Sequence, residues 1–221
     1  MELMHTAHVP AGTGPFPTIL ALHGFGASAH DLLGLAPLVQ QGEVLFLCPQ
    51  GPMMIEPAPG QRAYGWFPLS GAGEVDPASL VGARGVLEGF LEDALERYPI
   101  DPERIVLMGF SQGGVMAYDQ ALRQPSRYAG LVALSSWLPE SLAQTIPKLP
   151  EHENWPVFVS HGTEDPMIGI DRARESRDAL LPFQVGLTYR EYEMGHEIRP
   201  ESLRDLLDWL ENKIVSPIQL V

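Results

Sequence analysis

A serine flanked by glycines lies near the middle of the chain, in Gly109-Phe110-Ser111-Gln112-Gly113. This Gly-x-Ser-x-Gly pattern follows a short apolar run, residues 105–108, and precedes a run with helical spacing, residues 115–122. In a sharp turn from strand to helix, glycines allow close backbone approach and the serine oxygen is exposed. The N-terminus of the following helix directs N–H groups toward any negative charge formed there. Ser111 is therefore predicted to be a catalytic nucleophile; an incidental serine in a glycine turn is the alternative.

A serine nucleophile needs a base, and histidine is the usual one because its ordinary pKa is near 6.5. His196, in Met194-Gly195-His196-Glu197, follows a predicted strand over residues 187–192 and precedes the last predicted helix, so it is the preferred base. His23 and His161 each follow a strand and precede glycine, so either could approach the site. The remaining histidines are expected to be solvated or capping residues: His5 and His8 in an irregular N-terminal segment, His30 at a helix start and His152 in a polar connector.

The base needs a carboxylate to orient it. Around this kind of turn the three residues follow in the chain order serine, acid, histidine, so the acid is expected between Ser111 and His196. Asp165 comes just after a predicted strand, residues 157–159, and would emerge at the same sheet edge as Ser111. Its role would be to hold the imidazole tautomer and stabilise the imidazolium. The competing carboxylates are Glu164, the main rival, and two residues expected on a solvated helix face, Asp171 and Asp178.

Backbone N–H groups are needed to stabilise the negative oxygen of a tetrahedral intermediate. The first is predicted at Gln112, the residue after the nucleophile. The second is predicted at Phe25, because Leu22-His23-Gly24-Phe25-Gly26 follows an early strand. The two glycines would let this backbone approach a substrate closely, although a plain glycine turn is the alternative.

Short apolar runs, typical of strands buried in a parallel sheet, alternate with amphipathic runs along the chain. The short runs are residues 18–22, 44–48, 105–108, 130–134 and 157–159. One helix is predicted from Asp76-Pro77 to Tyr98-Pro99, and another over residues 203–210, where leucines recur at helical spacing. The alternation predicts an α/β fold with a doubly wound, mostly parallel sheet, helices on both faces, no separate cap domain, and a site at the carboxyl ends of the strands.

Composition limits the domain count and the classes of partner. A chain of 221 residues, 45% hydrophobic and 19% charged, is expected to form one domain over residues 1–221. The formal charge of −14 argues against nucleic acid and against stable membrane association. The single Cys48 allows no intramolecular disulfide, and neither a metal nor an organic cofactor is expected. Without a signal peptide or a long apolar span, the expected location is the cytoplasm. A homodimer is left open.

Residues 49–76 break the alternation, with five prolines and the aromatic residues Tyr64, Trp66 and Phe67. A connection of this length inside a compact domain is more often functional than incidental, although a surface excursion is the alternative. The segment is predicted to supply a wall of an acyl groove. Trp66, Phe67 and Trp137 are predicted to line that groove, and a core role for Trp137 is equally open.

Several motifs together resemble the carboxylesterase/phospholipase family of small serine α/β-hydrolases, which includes acyl-protein thioesterases and lysophospholipases. They are Leu22-His23-Gly24-Phe25-Gly26, Gly65-Trp66-Phe67, Gly109-Phe110-Ser111-Gln112-Gly113-Gly114, Leu134-Ser135-Ser136-Trp137-Leu138-Pro139, His161-Gly162-Thr163-Glu164-Asp165-Pro166 and Gly195-His196-Glu197. The resemblance implies an α/β-hydrolase fold, a triad of Ser111, Asp165 and His196, and oxyanion donors at Phe25 and Gln112.

The same resemblance leaves the substrate open. Pro68 stands where eukaryotic thioesterases usually have aspartate, which weakens any transfer of their specificity for protein substrates. The resulting hypothesis is a serine carboxylesterase acting on short- to medium-chain esters through an acyl-enzyme. A thioesterase or lysophospholipase using the same triad is the alternative, and a non-catalytic binding module on a hydrolase scaffold is a more distant one.

Overall fold

The computed structural model describes residues 3–69 and 75–215, which form a central sheet with helices on both faces. The strands are β1 (His5–His8), β2 (Phe16–Leu22), β3 (Leu45–Pro49), β4 (Met53–Ile55), β5 (Ala63–Gly65), β6 (Ile100–Phe110), β7 (Gly130–Leu134), β8 (Pro156–Gly162) and β9 (Gly186–Tyr192). The α-helices are α1 (Pro77–Arg97), α2 (Gln112–Arg123), α3 (Glu140–Ala143), α4 (Ile170–Leu180) and α5 (Pro200–Leu210). Short 3-10 segments include Leu33–Gly42 and Pro150–His152.

Seven strands form the main sheet in the order β1-β3-β2-β6-β7-β8-β9. All neighbouring pairs are parallel except β1 with β3. The mostly parallel sheet is therefore confirmed, and it brings the carboxyl ends of β2, β6, β8 and β9 to one edge.

Alternate residues of the central strands enter two separate cores. Leu20 and Leu22 of β2 pack on the face covered by α1, α2 and α4, whereas Ile19 and Ala21 pack on the face covered by α5 and Leu33–Gly42. This period of two is the normal pleat of a strand, and it explains why strands buried on both sides are apolar throughout. Helices on both faces are thus confirmed.

Helix α1 begins at Pro77, directly after Asp76, as the sequence predicts. Asp76 Oδ1 accepts a hydrogen bond from the Ala78 N–H at 3.0 Å, and Pro77 occupies the first helical position, where a missing N–H does no harm. The helix ends at Arg97, because Tyr98 is extended before Pro99.

Two expectations about histidines were wrong. His5 and His8 lie in β1, which pairs with β3, and not in an irregular segment. His152 is fully buried: its Nε2 lies 2.8 Å from the Leu122 carbonyl oxygen, and its Nδ1 accepts a hydrogen bond from the Leu149 N–H at 3.0 Å. The segment around His152 has a polar sequence, but it is buried because it packs against the end of α2. His30 is exposed and precedes the segment Leu33–Gly42, near the expected helix start.

The proline-rich segment contains the hairpin of β4 and β5, in which Met53 pairs with Gly65. Ala27, in the loop after β2, pairs in turn with Tyr64. Of the predicted groove wall, residues 49–76, the part at positions 70–74 lies outside the described residues. Within residues 3–69 and 75–215, no helix is both long and apolar enough to cross a bilayer.

Candidate active site

Ser111 occupies a strained turn between β6 and α2, with φ 54° and ψ −120°. A positive φ is uncommon for a residue with a side chain, and such strain is found at functional sites. The turn is held by its neighbours: the Ser111 N–H donates to the Leu134 carbonyl at 2.9 Å, and Ser136 Oγ donates to the Ser111 carbonyl at 2.7 Å.

The glycines of the turn are required by close packing. A β-carbon on Gly109 would lie 2.1 Å from the Gly113 carbonyl oxygen, and one on Gly113 would lie 2.0 Å from the Leu22 carbonyl oxygen. Both obstacles are backbone atoms, which cannot rotate away. The motif is therefore a consequence of how β6, α2 and β2 meet.

His196 and Asp165 form a short hydrogen bond at the same edge of the sheet. The imidazole Nδ1 lies 2.7 Å from Asp165 Oδ2. Because a carboxylate only accepts, Nδ1 carries the hydrogen and Nε2 presents its lone pair. The Phe110 ring packs against the imidazole with centroids 4.9 Å apart, which restricts the orientation of the base.

The carboxylate of Asp165 is itself fixed by its own loop. Its Oδ1 accepts hydrogen bonds from the N–H groups of Met167 at 2.8 Å and Ile168 at 2.9 Å. Asp165 is buried, at 6% exposure, whereas the neighbouring Glu164 is exposed. The structure therefore joins Asp165, and not its rival Glu164, to the predicted base.

His161 contacts the same carboxylate from a fully buried position. Its Nε2 lies 2.7 Å from the Ile168 carbonyl oxygen and 3.4 Å from Asp165 Oδ2. Burial lowers the pKa of His161 and favours its neutral form. Its Nδ1 has no hydrogen-bond partner among the described residues. His161 thus supports the acid, while His196 is the histidine that shares the short bond with it.

The two predicted oxyanion donors flank the nucleophile. A β-carbon on Gly24 would lie 3.3 Å from Ser111 Cβ, so the loop carrying Phe25 adjoins the serine. In residues 3–69 and 75–215, neither the Phe25 N–H nor the Gln112 N–H donates a hydrogen bond. Two free N–H groups beside a serine can stabilise a developing negative charge.

The three predicted groove residues are buried: Trp66 is 2% exposed, Phe67 1% and Trp137 5%. Trp66 and Phe67 belong to the core under the site. Trp137 lines a cavity of about 780 Å³, between the segment after β7 and helix α4. The other lining residues include Val75 from the end of the proline-rich segment, Leu138, Pro139, Arg172, Glu175 and Ala179. The Arg172 guanidinium lies 4.9 Å from the centroid of the Trp137 ring.

The sequence model of a family described as Phospholipase/Carboxylesterase matches residues 6–214. The chain belongs to this family. Acyl-protein thioesterase 1 of Neurospora crassa is 30% identical over 93% of this chain and 90% of its own length. The crystal structure of esterase PE8 superposes with a TM-score of 0.78 at 27% identity, covering 97% of this chain and 100% of that one.

Family membership confirms the resemblance and the enzyme class, a hydrolase of the serine hydrolase type. The crystal structure of the Bacillus cereus carboxylesterase, 24% identical, has a TM-score of 0.77 and covers 96% of this chain and 95% of that one. At this identity the comparison supports the α/β-hydrolase fold alone.

Two contacts of the site were missed from the sequence: Ser136 supports the nucleophile turn, and the Gln112 side chain holds the segment after β5. Neither offered a signal in the sequence, because their partners lie 25 or more residues away. His161, which its position directly after a strand placed near the site, contacts the acid rather than acting as the base.

Proposed function

We propose that the protein hydrolyses short- to medium-chain carboxylic esters through an acyl-enzyme formed on Ser111. The observation that carries this proposal is the 2.7 Å hydrogen bond between His196 and Asp165 at the sheet edge where the strained turn presents Ser111. This arrangement leaves the imidazole Nε2 free to take a proton from the serine.

In the first half of the proposed reaction, the Ser111 hydroxyl attacks the ester carbonyl and Nε2 of His196 takes its proton. The carbonyl oxygen becomes negative and accepts hydrogen bonds from the N–H groups of Phe25 and Gln112. The same proton then passes to the leaving alcohol, and the acyl group stays on Ser111.

In the second half, water attacks the acyl-enzyme and gives its proton to His196. The carboxylate of Asp165 stabilises the imidazolium in both halves and does not take the proton. Collapse of the second tetrahedral intermediate returns the proton to Ser111 and releases the carboxylic acid.

The cavity beside Trp137, of about 780 Å³, is assigned to the acyl group as part of this proposal. Its apolar residues Val75, Trp137 and Leu138 would contact a short or medium chain, and its charged residues Glu140, Arg172, Glu175 and Asp178 would disfavour a long one. The formal charge of −14 favours small neutral esters over anionic lipid surfaces and over nucleic acid. We also propose a cytoplasmic location, where Cys48, a buried free thiol, would stay reduced.

A thioesterase is the second candidate, because the relative in Neurospora crassa is named an acyl-protein thioesterase. To distinguish the two functions, kcat/KM is measured for matched oxygen esters and thioesters of acetic acid and of octanoic acid. A higher kcat/KM for the oxygen esters supports the proposal, and a preference of about tenfold or more for thioesters overturns it.

The role of Ser111 is tested with Ser111→Ala, using Ser126→Ala, at an exposed position, as the matched control. We expect Ser111→Ala to lower kcat by a factor on the order of 10⁴ or more, with an unchanged melting temperature. Retained turnover in a folded Ser111→Ala protein would exclude the proposed mechanism.

A further inference from the structure

The side chain of Gln112 is fully buried, and both ends of its amide are used. Oε1 accepts a hydrogen bond from the Trp66 N–H at 2.8 Å, and Nε2 donates one to the Phe67 carbonyl at 2.6 Å. The proposed mechanism needs only the backbone N–H of Gln112. The side chain therefore makes a separate set of contacts, which joins the start of α2 to the segment after β5.

Trp66 extends this connection to the loop that carries the other predicted oxyanion donor. Its indole Nε1–H donates to the His23 carbonyl at 2.9 Å. The centroids of the His23 ring and the Trp66 ring lie 5.4 Å apart. Because His23 stands two residues before Phe25, these contacts fix the start of that loop.

The ring of His23 holds the same loop through a defined tautomer. Nε2 accepts a hydrogen bond from the Gly51 N–H at 2.9 Å, so the ring hydrogen is on Nδ1. Nδ1 then donates to the Gly24 carbonyl oxygen, 2.7 Å away. Burial lowers the pKa of His23, in agreement with this neutral form.

Gly65 lies close to the side chains of both Phe25 and Gln112. A β-carbon on Gly65 would lie 2.9 Å from Phe25 Cδ2 and 3.1 Å from Gln112 Oε1. Its neighbour Tyr64 accepts a hydrogen bond from the Gly26 N–H at 2.9 Å. Strand β5 thus adjoins both Phe25 and Gln112, the two residues that carry the predicted oxyanion donors, and Trp66 is bonded to Gln112.

We propose that the Gln112 side chain, Trp66 and His23 are positioning residues that set the distance between the N–H groups of Phe25 and Gln112. The inference rests on the proposed function, because it takes these two groups to be the oxyanion donors. A displacement of about 1 Å in a reacting geometry can lower a rate about a hundredfold. Loss of hydrogen bonds in this network of Gln112, Trp66 and His23 should therefore lower kcat and leave KM unchanged, since the donors act on the transition state.

Two variants interrupt the network. Gln112→Met keeps the side-chain length and removes both hydrogen bonds, and Trp66→Phe removes the indole N–H. Gln120→Met and Trp155→Phe are matched controls: Gln120 is equally buried in α2, and the buried indole of Trp155 also donates to a backbone carbonyl, at 2.7 Å. Each protein is assayed for hydrolysis of a p-nitrophenyl ester and for the rate at which a fluorophosphonate modifies Ser111, since its phosphoryl oxygen needs the same donors.

We expect both network variants to lower kcat and the modification rate by about tenfold or more, with KM within about twofold. Both controls should stay within about twofold of the unaltered protein in every rate. If Gln112→Met does not fold, Trp66→Phe decides the question. Unchanged rates in folded Trp66→Phe would overturn the proposal, because a structural role alone lowers the melting temperature and not kcat.

The fluorophosphonate reaction separates this proposal from the proposed function. If the protein hydrolyses no test ester but the network variants are modified slowly, the positioning role is supported and the substrate assignment fails. If the unaltered protein is not modified at Ser111 at all, both proposals are overturned.

Discussion

The imidazole of His196 and the carboxylate of Asp165 are 31 residues apart in the chain, yet Nδ1 and Oδ2 lie 2.7 Å apart. Each residue follows a different strand, and β8 and β9 are parallel neighbours, so their carboxyl ends bring the two loops together. The bond fixes the tautomer of His196 and aligns its Nε2 as an acceptor for the proposed proton transfer.

Replacement of Asp165 by asparagine should lower kcat by about 10³–10⁴-fold without unfolding the protein. The amide oxygen can still accept from the N–H groups of Met167 and Ile168, but its NH₂ group would face Nδ1 and favour the wrong imidazole tautomer. Kinetics of p-nitrophenyl acetate hydrolysis measure the effect. Glu164→Gln, at an exposed neighbouring position, should change kcat by no more than about twofold, and an equal loss in both variants would contradict the assignment of the acid.

Two alanine substitutions at glycine should shift stability in opposite directions. Gly113→Ala should lower the free energy of unfolding by about 3 kcal/mol or more, because its β-carbon would lie 2.0 Å from the Leu22 carbonyl oxygen. Gly82→Ala, on the exposed face of α1 with nothing within 4 Å of the new carbon, should raise it by about 0.5–1 kcal/mol. Urea unfolding curves measure both, and a Gly113→Ala protein of normal stability would show that the turn can accommodate a β-carbon.

The buried histidines should make the protein less stable in mild acid. Burial lowers the pKa of His23 and of His161, so below about pH 6.5 the unfolded chain takes up protons that the folded protein does not. Their stabilising effect is complete above that pH and is lost as the pH falls toward the folded pKa values, by at most about 1.4 kcal/mol per pH unit for each group.

Urea unfolding between pH 7.5 and 5 tests this expectation. His161→Asn should reduce the slope of the unfolding free energy against pH, whereas His30→Asn, at an exposed position, should leave it unchanged. Equal slopes in the unaltered protein and in His161→Asn would show that His161 takes up its proton in the folded state.

A larger side chain in the cavity should weaken the binding of long acyl groups more than that of short ones. Ala179→Trp narrows the space beside Trp137, so KM for the octanoate ester should rise about fivefold or more, while KM for the acetate ester stays within about twofold. Ala11→Trp, at an exposed position before β2, is the control and should affect neither ester. Equal effects of Ala179→Trp on both esters would argue against the cavity as the acyl site.

Much of the fold and the site was predictable because the signals are local. The β-branched runs predicted the central strands, and Asp76-Pro77 predicted the start of α1 through contacts within one helical turn. The glycines around Ser111 predicted the strained turn, because only residues without a β-carbon fit between β6 and α2. The chain order of serine, acid and histidine narrowed the choice to residues that the structure brings to one sheet edge.

Other features depend on partners that are distant in the chain. The pairing of β1 with β3, the burial of His152 under α2, and the contact of His161 with Asp165 were all decided by the tertiary structure. The same holds for Trp66, whose aromatic ring favoured a groove wall but whose N–H groups bond to Gln112 and His23. A residue's type determines which bonds it can make, but only the packing of separate strands and helices determines which partner lies within 3 Å.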